Sequence, residues 1–78
     1  MSRALVEYVV PWLVDNPDDV EISETTGEGD SIVLEISVHA DDMGKIIGKQ
    51  GRIIRSLRTL ARAAGQRSGE SIMVEVVD

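Results

Sequence analysis

The chain has 78 residues, which is enough for one small domain. It contains no cysteine and a single histidine, so neither a disulfide framework nor a thiolate or multi-histidine metal site is expected. Its formal net charge of −6, taken alone, argues against a nucleic-acid-binding protein, because such proteins usually carry a basic surface.

Apolar side chains at near-helical spacing predict an amphipathic first helix over residues 3–14. Pro11 removes one backbone hydrogen bond from this helix, and a kink is expected there. Tyr8 and Trp12, the only aromatic residues of the chain, lie four positions apart on one side of the helix. They are far in sequence from the basic residues, so packing against the sheet or against a partner subunit is favoured over base stacking.

Alternating apolar and polar residues predict strands at 20–26 and 31–39, separated by a turn at 27–30. The second strand has the clearest alternation, with its apolar side chains facing one way: Ile32, Leu34, Ile36 and Val38. A sheet with one buried face is therefore expected. His39 closes this strand without the neighbours that a metal or catalytic role would need, so a structural role is favoured.

Asp41 is a suitable N-cap for a short helix over residues 42–47. The turn Gly48-Lys49-Gln50-Gly51 follows, and a second apolar stripe at helical spacing comes directly after it: Ile53, Ile54, Leu57, Leu60, Ala61 and Ala64. Gly65 is expected to end this helix, and residues 71–77 to form the last strand.

The basic residues are not spread evenly along the chain. Seven of the eight lie between positions 45 and 67, a span without Asp or Glu: Lys45, Lys49, Arg52, Arg55, Arg58, Arg62 and Arg67. The rest of the chain holds all 14 acidic residues and one base, Arg3. The distribution predicts an acidic scaffold that carries one basic patch, with a positive local potential despite the negative net charge.

The two glycines three positions apart allow backbone conformations that are closed to other residues, and they allow a ligand to approach the main chain. A helix begins directly after Gly51, so its free N–H groups and partial positive charge would point over the turn. The expected guest is a phosphate.

This stretch resembles the GxxG loop of KH domains, because Gly44, Ile47, Gly48, Gly51 and Ile54 match the wider family pattern. The element order is similar to that of type II KH domains. The resemblance implies an α+β fold, a single type II KH domain over residues 1–78 with helices on one face of a three-stranded sheet. The core unit would cover about 31–77 and the N-terminal helix and strand 3–26. In KH domains the GxxG loop clamps about four single-stranded nucleotides.

Over the whole chain the sequence is similar to the KhpA family of small bacterial KH proteins. The run from Lys45 to Arg52, its continuation Leu57-Arg58-Thr59-Leu60, and the Asn-Pro-Asp-Asp-Val segment carry that similarity. The resemblance implies a single-stranded RNA-binding protein and RNA chaperone, and a homodimer or a pair with a KhpB/Jag partner is expected. The resemblance also implies a link to cell shape and cell-wall homeostasis. A cytoplasmic location is expected because no apolar run approaches membrane-spanning length and no signal-peptide pattern is seen. No cofactor, metal or membrane partner is expected.

In this interpretation the amides of residues 48–52, with Lys49 and Arg52, hold phosphates. Gly44 allows close approach, and Ile47 and Ile54 form either cleft wall or core. The full predicted RNA-binding set is Gly44, Lys45, Ile47, Gly48, Lys49, Gln50, Gly51, Arg52, Ile54, Arg55, Arg58 and Arg62. With no aromatic residue near the loop, weak sequence preference and strong salt dependence are expected.

Two other functions remain open from the sequence. A helix-turn-helix DNA-binding protein also has a basic second helix, and a KH-like domain can act as a protein interaction module. A Walker A loop is excluded, because only three residues separate Gly44 from Gly48 and Gln50 replaces the hydroxyl residue after the lysine. The carboxylates form no recognisable catalytic arrangement, so an enzyme is not expected.

Overall fold

The computed structural model describes residues 2–77 and contains three helices and three strands. The helices are α1 (Ser2–Leu13), α2 (Met43–Ile47) and α3 (Arg52–Arg67), and the strands are β1 (Glu21–Thr26), β2 (Ile32–Ser37) and β3 (Ile72–Val77). Short 3₁₀ turns connect them at Pro17–Asp19, Glu28–Asp30, Ala40–Asp42 and Lys49–Gly51. The element order agrees with the order predicted from the sequence.

The sheet has the order β1-β2-β3, with β1 antiparallel and β3 parallel to β2. A parallel pair needs a crossover connection, and the segment from α2 to α3 supplies it. The inward side chains of β2 and β3 share one face, since Leu34 is paired with Val74 and Ile36 with Val76. The α+β fold with one buried sheet face is therefore confirmed.

The core lies between that sheet face and the three helices. Its ten buried apolar residues come from every helix and from two strands: Val6, Val10, Leu34, Ile36, Ile46, Ile54, Leu57, Ala61, Ile72 and Val74. Such a core is modest, as expected for a domain of this size. Within residues 2–77 every buried side-chain nitrogen or oxygen has a hydrogen-bond partner.

The structure corrects the prediction that Asp41 caps a helix beginning at residue 42. The strand β2 ends at Ser37, and His39 lies beyond it, where its Nδ1 accepts a hydrogen bond of 3.0 Å from the Asp41 N–H. His39 therefore caps the 3₁₀ turn Ala40–Asp42, and α2 begins only at Met43. The Asp41 carboxylate stays exposed, whereas that of Asp42 is fully buried.

Gly65 does not end α3, as the sequence suggested, because the helix continues to Arg67. A Cβ on Gly65 would lie 2.3 Å from the Ile72 side chain, so this glycine allows α3 to pack closely on β3. The helix ends in a Schellman motif instead. Gly69 has φ +74°, and the Glu70 and Gly69 N–H groups donate to the Gly65 and Gln66 carbonyls.

Part of the predicted core stripe of α3 faces solvent. Ile53 is 37% and Leu60 53% exposed, and on α1 Tyr8 and Trp12 are 69% and 78% exposed. The aromatic pair therefore does not pack against the sheet, which was one of its two predicted roles. These side chains form what we call the α1–α3 apolar surface: Tyr8, Val9, Trp12, Leu13, Ile53 and Leu60.

Candidate nucleic-acid interface

The GxxG loop has a backbone that its glycines make possible. Gly48 and Gly51 have φ +76° and +73°, a region that side chains disfavour. A Cβ on Gly48 would also lie 2.6 Å from the Ile53 side chain. Gln50 adopts the left-handed region as well, with φ +58°. The tight turn expected from the sequence is thus present, and its backbone conformation is one that needs stabilisation.

Two arginines from the start of α3 stabilise this turn. Arg55 Nη2 donates a 2.8 Å hydrogen bond to the Gln50 carbonyl, and Arg52 Nη2 donates a 3.1 Å bond to Gln50 Oε1. The Gln50 carbonyl oxygen carries a partial negative charge that would repel an anion. The hydrogen bond from the positively charged Arg55 offsets that repulsion. These contacts fix Gln50 in its unusual conformation and leave the side chain of Lys49 free.

Not every amide of residues 48–52 is available to a ligand. The N–H groups of Gly48, Gly51 and Arg52 donate to the carbonyls of Gly44, Gly48 and Lys49 respectively. Within the described chain no hydrogen bond engages the N–H of Lys49 or Gln50. The backbone donors that the loop can offer are therefore narrowed to these two.

The cations of this surface have no internal counterions. Across residues 2–77 the ion pairs within 4.0 Å involve only Arg3, His39 and Lys45 as cationic partners. Six exposed basic residues of the predicted patch have no carboxylate of residues 2–77 at that distance: Lys49, Arg52, Arg55, Arg58, Arg62 and Arg67. A group of like charges without compensation raises the local positive potential and attracts an anionic ligand.

Lys45 differs from the other cations of the predicted set. Its Nζ lies 3.3 Å from Asp15 Oδ2 and 3.7 Å from Asp42 Oδ1. The hydrogen bond and charge of Asp15, with a further contribution from Asp42, raise the pKa of Lys45. Its charge is therefore balanced within the protein, so it adds little to the positive potential around the loop.

Asp42 is a residue whose role the sequence did not reveal. Its buried carboxylate accepts hydrogen bonds from the Asn16 N–H (3.0 Å), Asn16 Nδ2 (3.1 Å) and the Asp15 N–H (3.3 Å). Burial alone would raise the pKa of Asp42, but the hydrogen bonds from Asn16 and Asp15 and the charge of Lys45 outweigh it and lower the pKa. Asp42 thus ties the exit of α1 to the start of α2, the helix that leads into the GxxG loop.

The structure separates the remaining predicted residues. Gly44 faces open space, since a Cβ there would meet no atom within 4 Å, and Ile47 is 38% exposed. Ile54 is buried in the core, so its side chain does not line the surface. The sequence left open whether these isoleucines form cleft wall or core. Ile54 belongs to the core, whereas Ile47 remains accessible beside the loop.

Arg58 and Arg62 lie one and two turns further along α3, next to the free edge of β3. Arg58 Nε donates a 3.0 Å hydrogen bond to the Val74 carbonyl. A cleft of about 190 Å³ lies between the helix and the strand, lined by Arg58, Arg62, Ile72, Met73, Val74 and Glu75. The basic face therefore continues from the loop into a partly apolar cleft.

Neither a metal-binding cluster nor a membrane-spanning helix is found within residues 2–77. Within residues 2–77 there is no group of three or more His, Cys, Asp or Glu residues placed to hold a metal ion. None of the helices in the described part of the chain is long and apolar enough to cross a bilayer.

Comparison with known proteins places the chain in a family. The model of the family described as KhpA/KhpB, KH domain, matches residues 3–76. A Clostridium acetobutylicum protein named RNA-binding protein KhpA is 47% identical over 75 residues, which cover 96% of this chain and 99% of that relative. Proteins of the same name from Clostridium perfringens and Streptomyces coelicolor are 45% and 42% identical, over 96% and 100% of this chain and 99% and 94% of their own lengths.

No solved structure matches the chain. The relatives are named for binding and not for catalysis, which agrees with the prediction that the chain is not an enzyme.

Proposed function

Because this chain belongs to the KhpA/KhpB KH-domain family, we propose that it binds single-stranded RNA through the GxxG loop and the basic face of α3. One observation carries the proposal. The exposed cations around the loop have no carboxylate partner in the described part of the chain, while the chain as a whole is acidic. Uncompensated cations on an acidic protein are best satisfied by phosphates. The relatives named RNA-binding protein KhpA support RNA as the source of those phosphates.

In the proposed complex, one phosphate lies over the loop and accepts hydrogen bonds from the Lys49 and Gln50 N–H groups. The Lys49 ammonium and the Arg52 guanidinium pair with the same or the next phosphate. Arg55 keeps the loop in position through the Gln50 carbonyl. Gly44 and Ile47 border the loop, where the absence of a Cβ on Gly44 lets the RNA backbone approach.

Arg58 and Arg62 extend the positive surface beyond the loop, so that several consecutive nucleotides can be bound. Affinity then comes mainly from phosphates, and it falls steeply as salt rises. Binding through the backbone suits an RNA chaperone, which must act on many sequences. On the family resemblance we extend the proposal to such a role in the cytoplasm, with a KhpB/Jag partner and a link to cell shape and cell-wall homeostasis.

A helix-turn-helix function is disfavoured by the way α3 is held. Duplex reading needs a helix that projects base-reading side chains into the major groove. Arg52 and Arg55 fold back onto Gln50, and Arg58 is bonded to Val74, so these arginines are not extended away from the domain. A pure protein interaction module is disfavoured by the retained cations of the loop.

The test is fluorescence anisotropy of a labelled single-stranded RNA with wild type and with the double variant Lys49→Asp/Gln50→Asp. Two carboxylates in the loop repel phosphate, so affinity should fall at least tenfold. Circular dichroism checks that the variant is folded, and Asp18→Asn/Asp19→Asn, which changes two exposed charges elsewhere, is the charge control. Unchanged RNA affinity in the folded loop variant, or tighter binding of wild type to a DNA duplex, would contradict the proposal.

We also propose that the α1–α3 apolar surface is the contact for a second KH subunit, either another copy or a KhpB-type partner. The surface combines exposed aromatic and aliphatic side chains, which are enriched at interface cores. Four of its six residues lie on α1 and two, Ile53 and Leu60, lie on α3, and none of the six lines the β3 cleft. A dimer could therefore form while the β3 cleft of each subunit remains open, and the contact would lie next to Arg52, which lines the same groove as Val9 and Leu13.

Sedimentation of wild type, Trp12→Ala and Leu60→Glu tests this contact. Both variants should sediment as monomers at concentrations where wild type self-associates, or where it binds a KhpB-type protein. Met73→Glu is the control, because Met73 is 51% exposed but does not belong to this surface. Full association of Leu60→Glu would refute the contact.

A further inference from the structure

The free edge of β3 is partly closed by one side chain. The Ser71 carbonyl accepts a hydrogen bond from the Ile32 N–H, so it faces β2. Backbone groups alternate in direction along a strand, and the N–H and C=O of Val74 therefore face away from β2 into the cleft beside α3. Arg58 Nε donates its 3.0 Å bond to this Val74 carbonyl.

This bond changes what the cleft offers to a ligand. The carbonyl that could accept from an amino group is already engaged, while the Val74 N–H remains a donor. The Arg58 bond uses Nε, and within residues 2–77 no hydrogen bond or ion pair engages its two Nη nitrogens. The two Nη groups form a planar pair of donors, held in place by the strand. The cleft thus offers hydrogen-bond donors, the Val74 N–H and the two Arg58 Nη groups, where the Val74 carbonyl is already occupied.

The cleft is also better suited to a base than to a phosphate. Its lining residues include the apolar Ile72, Met73 and Val74 and the acidic Glu75, which carries a carboxylate. A phosphate near that carboxylate would be repelled, whereas a neutral ring would gain contact with the apolar atoms.

We propose that Arg58 determines specificity at one base of the bound RNA, and that it selects bases with two adjacent acceptor atoms. Cytosine offers N3 and O2, and guanine offers N7 and O6, each of which can accept both Nη donors. Adenine places an amino group beside every acceptor on its pairing edges. The Val74 carbonyl that could accept from this amino group is occupied by Arg58 Nε, so the amino group would face the Arg58 Nη donors. This inference rests on the proposed RNA-binding function and adds a preference at one position to an otherwise phosphate-driven affinity.

The experiment compares oligo(rC) and oligo(rA) of equal length, at neutral pH, with wild type, Arg58→Lys and Arg62→Lys. Wild type should bind oligo(rC) more tightly, by about fivefold or more, the lower end of the range for a bidentate pair. Arg58→Lys keeps the charge but loses the Nε bond and the planar donor pair, so the ratio of the two affinities should fall to near one. Arg62→Lys makes the same chemical change in the same cleft without a bond to Val74, and it should keep the wild-type ratio.

Self-stacking of oligo(rA) affects all three proteins equally, so the change of the ratio on Arg58→Lys is the decisive quantity. A wild-type protein that binds both RNAs with equal affinity, or that prefers oligo(rA), overturns this inference and leaves the proposed function standing. The same holds if Arg58→Lys keeps the wild-type ratio. Failure of wild type to bind either RNA refutes the proposed function, and this inference with it.

Discussion

Lys45 and Lys49 lie four residues apart, within and just after α2, and the structure gives them opposite surroundings. Lys45 Nζ lies within 4 Å of the carboxylates of Asp15 and Asp42. Lys49 is exposed and has no such partner in the described chain. The sequence presents both as members of one basic cluster. The difference teaches that Lys45 is paired within the fold, whereas Lys49 has no partner in the described chain and is the lysine that we propose to contact RNA.

The contrast extends to the two segments that flank α2. At its start, the Asp42 carboxylate is buried and has three hydrogen bonds to the exit of α1. At its end, Gln50 has a left-handed backbone, and within the described chain no hydrogen bond engages the N–H groups of Lys49 and Gln50. At the start of α2 the buried carboxylate thus has its hydrogen-bond partners inside the protein. At the end of α2 two backbone N–H groups have none in the described chain. Substitutions at the start of α2 should change stability, and those at its end should change RNA affinity.

The largest effect on stability is expected from Asp42→Asn. The amide keeps the shape of the side chain but removes the charge, and it brings an NH₂ group towards the Asp15 and Asn16 N–H donors. The melting temperature should fall clearly at pH 7. RNA affinity, measured well below the melting temperature, should stay within about twofold, because the Asp42 carboxylate contacts the exit of α1 and not the loop. A tenfold change in affinity would need about 1.4 kcal/mol. A folded variant with much weaker RNA binding would show that the two segments are not independent.

The same variant gives a pH dependence with a definite sign. The pKa of Asp42 is lowered in the folded protein, so its contribution to stability is fully present above the ordinary aspartate pKa and is lost as the pH falls from there through the lowered pKa of the folded protein. The difference in melting temperature between wild type and Asp42→Asn should be largest near neutral pH and should shrink below about pH 4. A constant difference across this range would mean that the charge of Asp42 does not stabilise the fold.

A smaller effect is expected from Lys45→Gln. The ion pairs of Lys45 are partly exposed, and such pairs contribute little to stability. The melting temperature should fall slightly at pH 7, and by less than in Asp42→Asn, which differential scanning calorimetry can compare directly. Lys49→Gln is the matched control and should melt as wild type does. The contrast between the two lysines is wrong if Lys49→Gln is the less stable of the two.

Much of the architecture could be predicted from the sequence because periodicity and glycine spacing are local signals. The alternation in β2 and the stripe of α3 gave the elements, and Gly48 and Gly51 gave the turn. The signals that failed depend on tertiary contacts. Gly65 looked like a helix end because the real reason for a glycine there is close packing of α3 on Ile72 of β3, a contact between two elements that residue spacing does not reveal.

The site was predicted as a cluster of residues but not in its detail. Lys45 and Asp42 could not be assigned from the sequence, since their partners Asp15 and Asn16 lie 26 to 30 positions away. A lysine three residues after an aspartate was the only local hint. Ile53 and Leu60 fit the helical stripe, but the sequence does not show that they remain 37% and 53% exposed beside α1.

The salt dependence of single-stranded RNA affinity tests the central claim most directly, with wild type, Lys45→Gln and Lys49→Gln measured side by side. Each phosphate contact contributes about 0.7 to the slope of log affinity against log salt for single strands. If Lys49 contacts phosphate and Lys45 does not, Lys49→Gln should reduce the slope by about that amount and Lys45→Gln should leave it unchanged. Equal slopes for all three proteins, or a reduced slope only for Lys45→Gln, would contradict the account.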